Sequence, residues 1–202
     1  MSAKTIDKNL PNKLTILRVL LVPFFLLAVW LPLFTPLSET ASRVIAALLF
    51  AFCSATDFID GRLARKYALV SDFGKFMDPL ADKFLVIGAL LACVLVFDGA
   101  MRFGLIASSI VIIFRELAVS SMRLVAKNAD GVVIAAALPG KIKTFSECVF
   151  ILLLLLEDPF LGSLLPFFMN RPLTWTCMLV MDFFTVYSGL DYFKTYKKYI
   201  LG

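Results

Sequence analysis

Residues 57–82 read DFIDGRLARKYALVSDFGKFMDPLAD, and they join two runs apolar enough for lipid, VIAALLFAFCSAT (44–56) and KFLVIGALLACVLVF (83–97). The joining stretch holds five aspartates, Asp57, Asp60, Asp72, Asp78 and Asp82, and four cations, Arg62, Arg65, Lys66 and Lys75. Four of the aspartates are regularly spaced. Asp57 and Asp60, three apart, share one face at the end of the second apolar helix. Asp78 and Asp82, four apart, share one face at the start of the third. If the chain reverses between them, two pairs of carboxylates confront each other at a membrane boundary. Ionisable groups at that depth are costly and mark function.

Working outward, the rest of the chain fits a bilayer. Of 202 residues, 60% are hydrophobic and 17% charged, and the mean hydropathy is +0.90. A soluble domain of this length could not bury so much apolar surface, so the expectation is an all-α integral membrane protein. A span needs about 20 mostly apolar residues. Six segments qualify, some only with help from their polar flanks: 14–34, 41–56, 84–97, 103–125, 144–156 and 173–193. The fold expected is six transmembrane helices in one bundle, a single domain over 1–202. Residues 1–13 form its juxtamembrane segment, with a short interfacial helix in TIDKNLPNKLTILR. The first apolar run is long enough to span and lacks a small-residue cleavage pattern, so no cleaved leader is expected.

The cations orient the bundle. Of the 20 Lys and Arg, all but Arg43, Arg102 and Arg171 fall on one side if both termini are cytoplasmic, which is the positive-inside arrangement. Most of them read as topology. Arg115 and Arg123 are different, because they interrupt an apolar helix. Cys53, Cys93, Cys148 and Cys177 sit singly in apolar runs with no CxxC spacing, and read as packing residues. The chain has no histidine, which leaves carboxylates and lysines to do any proton chemistry.

Four close carboxylates cannot all ionise without cations to neutralise them. Hard divalent ions with oxygen ligands, Mg²⁺ or Mn²⁺, would do so. Raised pKa values with shared protons, as in ion or proton transport, are an alternative. A structural role, as caps or as partners of Arg62, Arg65 or Lys83, is another, and Asp78 before Pro79 would make a good cap by itself. Gly61, Ala64 and Gly74 favour the metal reading, since small residues there let a bulky ligand reach the backbone. A ligand needing divalent ions, cations and glycine clearance is most simply a phosphate or pyrophosphate.

The residues also resemble a known family. D-x-x-D-G-x-x-A-R, eight residues, then G-x-x-x-D-x-x-x-D is the signature of the CDP-alcohol phosphatidyltransferases. Asp57, Asp60, Gly61, Ala64, Arg65, Gly74, Asp78 and Asp82 match it without departure. The resemblance implies a two-metal site, with Mg²⁺ or Mn²⁺ on Asp57, Asp60, Asp78 and Asp82. Asp82 would also be the catalytic base for an acceptor hydroxyl. Gly61, Ala64, Arg65, Ser71 and Gly74 would border the CDP part of CDP-diacylglycerol. Asp72 lies outside the signature and reads as a loop residue.

LPNKLTILRVLLVP (10–23), FRELAVSSMR (114–123) and ALPGKIKT (137–144) are similar to the members of this family that act on glycerol 3-phosphate. The first implies that Asn12 and Thr15 help bind the cytidine diphosphate end, although Pro11 and Asn12 also make a good helix start. The others place Arg115, Arg123, Lys141 and Lys143 on the cytoplasmic side, where they suit a second phosphate. The expected reaction passes the phosphatidyl group of CDP-diacylglycerol to glycerol 3-phosphate. Inositol phosphate, phosphatidylglycerol or serine are alternative acceptors, and cation transport or a non-catalytic lipid-binding scaffold are the alternatives outside the class. A homodimer among membrane lipids is expected, in the plasma membrane of a bacterium, with no nucleic-acid partner.

Overall fold

The computed structural model describes residues 10–66, 72–130, 138–162, 164 and 169–200. These form six α-helices: α1 (Leu10–Phe34), α2 (Glu39–Lys66), α3 (Asp72–Val96), α4 (Gly99–Asp130), α5 (Leu138–Glu157) and α6 (Pro172–Ile200). A π-helical turn, Asp158–Gly162, follows α5, and no strand occurs among the described residues. The helices outrun the apolar segments that announced them. Helix α2 continues past Thr56 to Lys66, and α3 already begins at Asp72. Hydropathy marks only the part of a helix that lies in lipid, whereas the backbone hydrogen-bond ladder continues into the polar boundary.

Among the described residues, five helical segments are long and apolar enough to cross a membrane: Asn12–Phe34, Glu39–Asp57, Phe76–Val96, Gly99–Ala126 and Pro172–Lys197. The expected fifth span, 144–156, lies in α5, which also carries Lys141, Lys143 and Glu147. Large apolar side chains face outward along these segments; Phe34 is 81% exposed and Phe103 75%. Such surface is stable against acyl chains and not against water. From Leu10 the chain is already part of α1, and the rest of the expected interfacial helix, residues 1–9, lies outside the described residues.

The chain divides into two compact units, Met1–Ala92 and Cys93–Gly202. In the first, α1 packs along α2 through Phe25 and Phe50, whose ring centroids are 5.9 Å apart. Pro32 inside α1 has no N–H for the carbonyl of Ala28, one turn back. Ser42 of α2 supplies the missing donor through its hydroxyl, which is how a proline becomes tolerable in a spanning helix. Helix α3 is tied to α1 by Trp30, whose indole Nε1 donates to the Ala92 carbonyl at 3.1 Å. Ser38 caps α2, its Oγ accepting from the Ala41 N–H at 3.3 Å.

In the second unit, α6 packs against both α4 and α5. Gly104 makes the α4–α6 approach possible: a Cβ there would stand 2.9 Å from Met178 Cε and 3.1 Å from the Trp175 ring. The start of α6 is held by Glu157, whose carboxylate accepts from the N–H groups of Leu173 (2.9 Å) and Thr174 (2.6 Å) and from the Thr174 hydroxyl (2.6 Å). Just before it, Arg171 takes a left-handed backbone, φ 55°. Its guanidinium donates to Leu154 O and Asp158 Oδ2 and lies 4.5 Å from the Phe97 ring centroid. Cys53 and Cys93 are buried, and Cys148 and Cys177 half-buried.

Candidate active site

The signature is helical in both halves. Asp57, Asp60, Gly61, Ala64 and Arg65 lie on α2, and Gly74, Asp78 and Asp82 on α3. Along α2, positions 57, 60, 61 and 64 fall on one face of the helix, as 74, 78 and 82 do on α3. The side chains of Asp60, Ala64 and Arg65, and Ser71 altogether, lie outside the described residues.

Helix α1 gathers the two aspartate-bearing helices. Thr15 and Arg18, three residues apart and each only 1% exposed, project from one side of α1. The Thr15 hydroxyl donates to Asp78 Oδ1 of α3 at 2.6 Å. Arg18 Nη1 pairs with Asp57 Oδ1 of α2 at 2.5 Å. One turn of α1, about 5 Å of rise, therefore fixes a carboxylate from each half of the signature. Asp57 stays 44% exposed at its side chain, Asp78 is exposed and Asp82 half-buried, while Gly74 is buried. Asn12 is half-buried one turn before Thr15.

Among the described residues no group of three or more carboxylates or thiols forms a metal cage. The donors that are described nevertheless suit a hard divalent cation. They are carboxylate oxygens, and Asp57 and Asp78 each use one oxygen on α1, which leaves the second for another partner. Arg18 was legible in the sequence only as an inner-boundary cation. Its place three residues after Thr15, within an apolar run, is the signal that it has a partner in the protein.

A second polar cluster lies within the unit Cys93–Gly202, where α4, α5 and α6 meet. Arg115 donates to Ser188 Oγ from Nε (3.2 Å) and Nη2 (3.0 Å) and pairs with Glu116 Oε1 at 2.7 Å. Glu116 Oε1 also accepts from Lys143 Nζ at 2.7 Å, and Lys143 pairs in turn with Glu147 at 2.7 Å. Lys143 is 4% exposed and Glu147 2%. Arg123 donates from Nη2 to the Tyr192 hydroxyl, and Lys141 is exposed.

The four predicted phosphate-binding cations thus differ in setting. Arg115 and Arg123 converge on Tyr192. Lys143 is buried between two carboxylates, which oppose a phosphate there. Lys141 reaches solvent. The pattern of cations alone does not point to the counter-ions Glu116 and Glu147, although Glu147 stands one turn after Lys143.

The family profile of the CDP-alcohol phosphatidyltransferases matches residues 8–187, and the chain belongs to that family. Its relatives narrow the comparison. The chain is 42% identical to a CDP-diacylglycerol–glycerol-3-phosphate 3-phosphatidyltransferase of Bacillus subtilis (strain 168), over 92% of this chain and 94% of that protein. It is 36% identical to the protein of the same description in Rickettsia felis, over 96% and 98%. It is 37% identical to a probable phosphatidylglycerophosphate synthase of Mycobacterium tuberculosis (strain ATCC 25618 / H37Rv), over 91% and 79%.

Proposed function

We propose that this membrane enzyme transfers the phosphatidyl group of CDP-diacylglycerol to glycerol 3-phosphate, giving phosphatidylglycerophosphate and CMP. The observation that carries the reading is the near full-length likeness to relatives named for that reaction. The cation cluster on α4 and α5 supports it, since glycerol 3-phosphate brings a second phosphate that free serine lacks. The reading takes residues 1–202 as one phosphatidyltransferase domain, in line with a single family match over 8–187.

In the mechanism, Asp57, Asp60, Asp78 and Asp82 would hold two divalent cations, Mg²⁺ or Mn²⁺, which when bound supply charge stabilisation at the pyrophosphate. Thr15 and Arg18 hold Asp78 and Asp57 in register with each other. Gly61, Ala64 and Gly74 leave room for the nucleotide, and Asn12, Arg65 and Ser71 contact its diphosphate end. Asp82 accepts the proton of the 1-hydroxyl of glycerol 3-phosphate. The freed oxygen attacks the β-phosphorus, a new O–P bond forms, and the bond to the α-phosphate breaks to release CMP. Arg115 and Arg123 hold the acceptor phosphate, with Lys141 reaching solvent and Lys143 paired to Glu116 and Glu147.

The active site and both termini face the cytoplasm of a bacterium, the enzyme lies in the plasma membrane as a homodimer, and the acyl chains stay in lipid. Incubating purified protein and CDP-diacylglycerol with glycerol 3-phosphate, inositol phosphate, phosphatidylglycerol or serine, then identifying the lipid product by mass spectrometry, tests the acceptor. Product from glycerol 3-phosphate is expected; product only from another alcohol overturns the assignment. Nucleotide-independent divalent-cation flux in proteoliposomes would instead favour transport.

A further inference from the structure

Arg115 and Arg123 are eight residues apart on α4, about 12 Å of helix rise, yet both reach one aromatic ring. The Arg115 guanidinium carbon is 5.6 Å from the Tyr192 ring centroid and that of Arg123 is 4.9 Å away. The Tyr192 hydroxyl also accepts from Arg123. Ser188, one turn earlier on α6, takes two donors of Arg115.

The ring itself cannot drift. Tyr192 is 4% exposed, stacks on Tyr196 with centroids 5.9 Å apart and planes 12° from parallel, and packs among Val119, Met122 and Ala126. Gly140 brings the start of α5 to the same point, where a Cβ would lie 3.8 Å from both Arg115 Nη2 and the Tyr192 ring.

We propose that Tyr192, with Ser188, is a positioning residue that sets the spacing and aim of Arg115 and Arg123 and thereby the affinity for the acceptor phosphate. The inference rests on the reading that these two arginines take that phosphate. Two long cations lose much rotamer freedom when ordered, and like charges repel. A carboxylate would order them but cancel their charge, as Glu116 and Glu147 do for Lys143. A π-face attracts guanidinium groups through its quadrupole while carrying no net charge, so Tyr192 orders both without adding to the one counter-charge that Arg115 shares with Lys143 in Glu116. The hydroxyl of Ser188 does the same for Arg115 as a neutral acceptor.

The test is steady-state kinetics of the full-length enzyme in mixed micelles, with KM measured separately for glycerol 3-phosphate and CDP-diacylglycerol. Tyr192→Leu is expected to raise KM for glycerol 3-phosphate about tenfold, with KM for CDP-diacylglycerol unchanged. Tyr192→Phe keeps the ring and should raise the acceptor KM only about threefold, the loss of one hydrogen bond. Ser188→Ala should act like the phenylalanine variant.

A rise in both KM values together, or no advantage of phenylalanine over leucine, overturns the positioning role. If Tyr192→Leu does not fold, Tyr192→Phe and Ser188→Ala decide, and an unchanged acceptor KM in both overturns the proposal. Arg115→Gln and Arg123→Gln run alongside. If they raise the acceptor KM while the Tyr192 and Ser188 variants do not, the positioning role alone fails. If they leave it unchanged, the phosphate site fails and the proposal with it.

Discussion

Arg18 on α1 and Asp57 on α2 form an ion pair at 2.5 Å in which the arginine is 1% exposed and the aspartate 44%. The asymmetry decides which partner depends on the other. Asp57 can turn to water or to a cation, whereas the buried charge of Arg18 depends on the protein for its partners. Removing a carboxylate from the exposed side leaves the buried charge less well compensated. Asp57→Ala should therefore cost about 2 kcal/mol, below the full buried-pair penalty because one partner is solvated. Asp78→Ala loses only a hydrogen bond from Thr15, about 1 kcal/mol. Thermal unfolding in detergent with chelator present compares them. Arg18→Met together with Asp57→Ala should recover most of the loss, and equal destabilisation by Asp57→Ala and Asp78→Ala would rule the argument out.

The proposed base role of Asp82 separates chemistry from binding. An Asp82→Asn side chain keeps its shape and one oxygen but cannot take the proton of an acceptor hydroxyl. Turnover should fall at least about a hundredfold, while CDP-diacylglycerol still protects the protein against heat. Chelation should abolish turnover in the unaltered enzyme, and added Mg²⁺ or Mn²⁺ should restore it. Phosphatidylglycerophosphate formed by Asp82→Asn at near-normal rate would remove Asp82 from the base role.

The sequence made some of this legible because spacing survives without coordinates. Asp57, Asp60, Asp78 and Asp82 declared their helix faces by three- and four-residue intervals, and both halves of the signature are helical. The apolar runs announced the helices but not their ends, since polar residues of the boundary continue the helix at little cost. Residues whose meaning depends on a distant partner stayed hidden. Nothing near Arg18 in sequence points to Asp57, and nothing near Lys143 in sequence points to Glu116, which neutralises it from α4. Ser188 and Tyr192 looked like ordinary residues of a spanning helix because their role depends on α4.

Gly189 offers a steric test of the same cluster. A Cβ at Gly189 would stand 3.3 Å from Arg115 Cγ, closer than comfortable packing, so Gly189→Ala should displace the Arg115 stem by a few tenths of an ångström. Misplaced binding groups lose affinity faster than the fold loses stability, and the acceptor KM should rise a few-fold with little change in unfolding temperature. Gly140→Ala is the matched control. Its Cβ would meet Arg115 Nη2 and the Tyr192 ring at 3.8 Å, an ordinary contact, and its kinetics should be near those of the unaltered enzyme. Equal effects of the two substitutions would show that backbone propensity, not the approach to Arg115, is responsible.

Glu157 predicts the opposite pattern. Its carboxylate, 1% exposed, takes three donors at the start of α6, the N–H groups of Leu173 and Thr174 and the Thr174 hydroxyl. Pro172 in the first position of α6 removes a further donor that would need a partner. A carboxylate at that end satisfies backbone donors and opposes the positive pole of the helix dipole. Glu157→Gln keeps an acceptor but loses the charge, and should cost about 1 kcal/mol. Glu157→Ala strands the donors as well and should cost about 2–3 kcal/mol. Neither should alter KM for either substrate at temperatures where the protein stays folded. Unfolding and kinetics on the same preparations check both halves, and a selective rise in one KM would tie Glu157 to the substrate sites instead of to α6.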